Sequence, residues 1–103
     1  MRMMLKVSIP VTKGNQAITD GTLARVLQTM LGTIKPEAAY SFVVDGKRGG
    51  IYVFDLTDPS QIPAIAEPLF QELDASVEFI PVMNTDDLMK GLAAAGQAVQ
   101  GAR

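Results

Sequence analysis

The stretch Ala39-Tyr40-Ser41-Phe42-Val43-Val44-Asp45-Gly46-Lys47-Arg48-Gly49-Gly50-Ile51-Tyr52-Val53-Phe54-Asp55-Leu56 decides how the chain is read. Its two ends, Ala39–Val44 and Ile51–Leu56, are rich in aromatic and β-branched side chains, which suit a pleated surface. Between them Asp45-Gly46-Lys47-Arg48-Gly49-Gly50 is polar and glycine-rich, so the segment predicts a β-hairpin turning over residues 45–50. In the second strand Tyr52, Phe54 and Leu56 share one face. Ile51 and Val53 share the other, with Asp55 as its polar member.

Upstream of the hairpin, Met3–Val11 alternates, with Leu5, Val7 and Ile9 on one side and Met4, Lys6 and Ser8 on the other, and reads as a strand. From Thr22 to Ile34 the apolar set Leu23, Val26, Leu27, Met30, Leu31 and Ile34 recurs at helical spacing, and Pro36 follows its end. The residues between that strand and that helix receive no element. Downstream, Asp58 with Gln61 resembles a capping box, and Ile62, Ile65, Ala66, Leu69, Phe70 and Leu73 continue as a helical stripe. Pro63 suits a first turn, whereas Pro68 removes an internal hydrogen bond, so this helix is kinked or starts late. Ser76–Met83 is the last strand. Thr85, followed by Asp86 and Asp87, opens a closing helix, because a capping hydroxyl and first-turn carboxylates satisfy the free amides and the dipole. The small-residue tail Ala93–Arg103 is expected to fray, or to dock on a partner subunit.

The order β-α-β-β-α-β plus a C-terminal helix is the ferredoxin-like plan: an α+β fold with a four-stranded antiparallel sheet and two helices on one face. A chain of 103 residues is expected to be a single domain, residues 1–103. Apolar residues make up 48 %, enough for a core, and charged residues 19 %, too few for a disordered chain. The net charge of −2 argues against binding along a nucleic-acid backbone, which calls for a basic face. With no Cys and no His, the chain has no thiolate nucleophile, no Cys/His zinc site and no Ser-His-Asp triad. No apolar run approaches the length of a membrane span, and no signal-peptide pattern opens the chain. The expectation is a cytoplasmic protein with no cofactor, no metal, no nucleic-acid partner and no membrane partner.

Helices can cover only one face of such a sheet, yet both faces are apolar. Val77 and Phe79 lie on one side of the last strand, and Ile80 and Val82, with Glu78, on the other. An open apolar face is unusual on a monomer. The economical solution is a homodimer with sheets paired face to face, which also encloses a cavity for a small organic ligand. Here the chain resembles the dimeric α+β barrel superfamily, which includes muconolactone isomerases, small cofactor-independent monooxygenases and uncharacterised bacterial proteins. The stretches that carry the resemblance are Ile9-Pro10 with Gly14-Asn15, Lys35-Pro36-Glu37-Ala38-Ala39-Tyr40, Asp45-Gly46-Lys47-Arg48, Gln61 to Pro68, and Met83-Asn84 with Asp86-Asp87-Leu88. It spans residues 3–92 and implies sheet-to-sheet pairing. Many of the superfamily's enzymes use a histidine, and this chain has none, so no catalytic residue is carried over.

The polar minority of the open face, Lys6, Ser8, Asp55 and Glu78, is the candidate ligand-binding set. Lys6 and Asp55 are expected to face the same enclosed space. A desolvated carboxylate there acquires a raised pKa, which makes Asp55 or Glu78 a candidate general base, with Lys6 stabilising an oxyanion. The competing reading is a Lys–carboxylate pair that only neutralises charge at the interface. Tyr40 adds a phenol able to donate to a carbonyl, although alternation alone lets it face either side. Lys47 and Arg48 at the hairpin tip are adjacent cations suited to a carboxylate or phosphate, or simply to solubility. The segment from Arg48 echoes the third strand of an RNA-recognition motif, but Asp55 stands where that pattern needs an aromatic. The functional expectation is a small dimeric protein that encloses a small-molecule pocket between paired sheets and is non-catalytic or of unknown activity. The alternative is a cofactor-independent isomerase or monooxygenase-like enzyme acting on a small organic acid or lactone.

Overall fold

β1 (Arg2–Ile9) is the strand around which the molecule is assembled; the computed structural model describes residues 1–102. Its odd-numbered side chains, Met3, Leu5, Val7 and Ile9, are all buried, while Met4 and Ser8 are half-buried and Lys6 is exposed. The alternation read from the sequence is therefore the alternation of burial. The strand stops before Pro10, two residues short of the expected end. Proline has no amide to continue the ladder but suits the start of a helix.

That helix, α1 (Val11–Thr19), has no counterpart in the sequence reading. Its composition explains the omission: Val11, Thr12, Gly14, Asn15, Ile18 and Thr19 are poor helix formers. Only Gly14 and Ala17 of α1 are buried, so tertiary contact on one narrow stripe holds it. Gly21, at φ 82°, breaks the chain direction, and α2 (Thr22–Ile34) follows with Val26, Met30 and Ile34 buried. The Asp20 carboxylate accepts from the Thr22 amide at 2.9 Å in a local turn just ahead of α2, whose cap residue is Gly21.

β2 (Ala38–Val44) and β3 (Lys47–Asp55) form the expected hairpin with a tighter turn than expected. Asp45 and Gly46 lie at φ 56° and 71°, and Lys47–Gly50 belong to β3. Two central residues with positive φ are the signature of a type I′ turn, whose twist matches that of the flanking strands. A short 3₁₀ turn (Pro59–Gln61) leads into α3 (Ile62–Leu73). The capping box is present: the Asp58 side chain accepts from the Ser60 amide at 2.9 Å and Gln61 Oε1 from the Asp58 amide at 3.1 Å. Pro68 lies inside α3, and the helix continues through it.

β4 (Ser76–Pro81) completes a four-stranded antiparallel sheet of order β2-β3-β1-β4. This is the α+β class in a ferredoxin-like arrangement. The core lies between the helices and one sheet face; Leu5, Leu69 and Leu73 have no solvent exposure, and Val77 and Phe79 pack against the cluster.

α4 (Thr85–Gly101) departs from expectation in three ways. Its cap is Asn84, one residue earlier than Thr85, with Asn84 Oδ1 accepting from the Asp87 amide at 2.8 Å. It continues to Gly101, so the small-residue tail from Ala93 is helical as far as that residue, and Arg103 lies outside the described residues. It also closes nothing, because none of its residues is buried. The radius of gyration is 17.1 Å, against about 13 Å for a compact chain of this length, and the molecule measures 60 × 28 × 19 Å. At 17 residues α4 is about 26 Å long and accounts for the excess. Among the described residues no helix is long and apolar enough to cross a membrane.

Candidate functional site

The register assigns every strand residue to a face. Across the face away from the helices, Met4 lies between Val53 and Ile80, Lys6 between Ile51 and Glu78, and Arg2 opposite Asp55. Tyr40 pairs with Ile51 and Phe42 with Gly49. Met4, Phe42, Ile51, Val53, Ile80 and Val82 are half-buried there with no helix above them.

The polar residues picked out from the sequence occupy this same face but do not form one cluster. Lys6 stands directly across from Glu78, and Ser8 lies two residues further along β1. Asp55 shares the open face with Lys6 but is opposite Arg2, four residues from Lys6, or about 13 Å along the strand. The Asp55 carboxylate accepts from the Met1 ammonium at 2.6 Å. Tyr40, whose orientation alternation left open, is on the open face and 67 % exposed. Lys6, Asp55 and Glu78 are exposed too, so in the single chain neither carboxylate is desolvated.

One polar corner was not foreseen. Arg2 Nε donates to Glu37 at 2.6 Å and its Nη1 to Asp87 at 2.8 Å, which ties β1 to the approach to β2 and to the first turn of α4. Both carboxylates hold the guanidinium pKa above its ordinary value, Glu37 by the larger amount. Residues 35 and 85 apart in sequence meet here, and no local pattern marks such a contact.

Lys47 and Arg48 are not a two-cation tip. Both belong to β3, so their side chains alternate: Lys47 is exposed and Arg48 turns to the helix side, where its Nη2 donates to Asn15 Oδ1 at 3.0 Å. The aromatic of the RNA-recognition pattern, Tyr52, is buried under the helices at 6 % exposure and offers no surface for a base to stack on. Burial raises its phenol pKa. Among the described residues no group of three or more carboxylates is placed to hold a metal ion.

These features define an α+β protein with an unpaired apolar sheet face and an unpaired C-terminal helix. No protein-family model matches the chain, and no curated protein matches it.

Proposed function

We propose that the protein is a homodimer whose open sheet faces pair and enclose a small-molecule pocket, with Lys6, Ser8, Tyr40 and Glu78 as its polar lining. The observation that carries this reading is the helix-free row Met4, Ile51, Val53 and Ile80, continued by Phe42 and Val82. The four strands, about 4.8 Å apart and roughly 25 Å long, project about 500 Å². A stable interface removes roughly 800 Å² per partner, so the sheet alone falls short. The exposed side chains of α4, Leu88, Leu92 and Val99, recur at spacings of four and seven and form a stripe on one face. Laid along a partner, that stripe brings the interface into the required range.

The Lys6–Glu78 register supports a second reading. Once desolvated by a partner sheet, Glu78 is placed to take a proton from the carbon beside a carbonyl, with Lys6 holding the resulting enolate oxygen. This is isomerase-type chemistry on a small organic acid or lactone.

Native mass spectrometry on freshly purified protein tests the proposal. The expected result is a dimer, with added mass that denaturation releases if a ligand is retained. Val53→Asp places a charge in the middle of the apolar row and is expected to yield monomer. A wild-type monomer at micromolar concentration overturns the pairing and the enclosed pocket with it. A released organic acid followed by its turnover, lost in Glu78→Gln, favours the enzymatic reading.

A further inference from the structure

A second cleft lies on the opposite side of the sheet, under α2, and the geometry points to it as a binding site for a small, mostly apolar carboxylate whose anionic end meets Arg48. The cleft has a volume of about 380 Å³, and Val7, Ile9, Leu23 and Leu27 form its apolar walls. Arg48 is the one charged residue lining it. The other two arginines described in full are neutralised: Arg2 by Glu37 and Asp87, and Arg25 by Glu72 at 2.8 Å. Arg48 has only the neutral Asn15 oxygen as a side-chain partner, through one of its nitrogens. Its remaining donors, set in a planar fork, match a carboxylate.

Two glycines make room for the polar ends of the cleft. Gly14, buried in α1, lies where a methyl group would come within 2.6 Å of Arg48 Nη1, so the guanidinium rests on bare helix backbone. Glycine is a poorer helix former than alanine, and this close approach is what an alanine at residue 14 would disturb. At Gly50 a methyl group would sit 2.7 Å from the Tyr52 hydroxyl, so that hydroxyl lies over residue 50, about 7 Å along the strand from Arg48. The phenol O–H is a hydrogen-bond donor at that end of the cleft, and Ser41, opposite Gly50, offers a second hydroxyl. A ligand with a carboxylate at one end, a ring or short chain between, and an oxygen at the other satisfies every group on the cleft. This site is independent of the paired-sheet pocket, which lies on the other face.

The test uses the intact protein and two probes of the same shape, phenylacetate and its neutral amide phenylacetamide, titrated while amide resonances are followed by NMR. Phenylacetate is expected to bind with a Kd of about 1 mM, as suits so small a ligand, and to move the amides of Leu27, Arg48 and Gly50. It should bind about tenfold more tightly than the amide, the difference a charge-assisted pair makes. Arg48→Gln should abolish that preference. Gly14→Ala, which displaces only the guanidinium head, should weaken phenylacetate binding while the chain stays folded. Equal affinity for acid and amide in the wild-type protein overturns the proposal. So do shifts at Lys6 and Glu78 in place of the cleft, or no shifts at about 10 mM. The wild-type comparison stands even if Arg48→Gln fails to fold.

Discussion

Tyr52 shows how one atom of the cleft enters the stability of the whole chain. Burial disfavours the charged phenolate, so the folded-state pKa lies above the unfolded value of about 10. Below that value both states hold the proton and Tyr52 adds no pH dependence. Above it the unfolded chain loses its proton first, so stability falls as pH rises through the folded-state pKa. Urea melts of wild type and Tyr52→Phe should therefore run parallel from neutrality to about pH 9 and diverge above it, with wild type losing more. Coincident slopes up to pH 11 would show that the hydroxyl is not sheltered. The same residue marks a limit of sequence reading. Its face followed from alternation, but that its hydroxyl folds back over Gly50 depends on rotamer and packing, which have no linear signature.

At the scale of elements, legibility tracked the source of each element's stability. β1, the hairpin, α2 and α3 bury regular stripes, and their periodicity is visible in the chain. α1 buries only Gly14 and Ala17 and is held by what surrounds it, so neither propensity nor period announces it. The sequence locates the hairpin turn but extends it over four residues of β3, because glycines at 49 and 50 look like turn residues and serve instead to admit Phe42 and Tyr52 against the strand. This distinction is measurable. Gly46→Ala, at φ 71°, should cost about 1 kcal/mol because an L side chain resists that conformation, lowering Tm by roughly 4–8 °C. Gly32→Ala, within α2 and with open space around the new methyl, should raise stability by up to about 1 kcal/mol. Two changes of equal size and opposite sign separate a glycine the turn requires from one the helix merely tolerates.

For the whole molecule, the open-face candidates from the sequence lie on the face expected of them, and their grouping is what changed. Strand parity assigns a face from a single chain, whereas the pairing of Lys6 with Glu78 rather than Asp55 depends on register between strands distant in sequence. α4 raises the matching question of shelter. A helix of 17 residues without buried contacts is marginal in water, since most helices draw stability from a packed apolar face. Hydrogen exchange across a dilution series should show α4 amides protected at high concentration and exchanging freely once the protein is monomeric, while Leu5 and Val7 stay protected throughout. Concentration-independent exchange in α4 would separate it from the interface.

The glycine pair at 49 and 50 has a consequence for how the two faces relate. Phe42 rests on Gly49 from the open side, its Cε1 placed 2.8 Å from where a methyl would project, and the Tyr52 hydroxyl rests on Gly50 from the helix side. Here a peptide unit with no side chain on either face separates the Phe42 ring edge from the Tyr52 hydroxyl. A side chain added at residue 49 would run into Phe42 and one at residue 50 into the Tyr52 hydroxyl, so each glycine leaves space for an aromatic residue on its own side of the sheet.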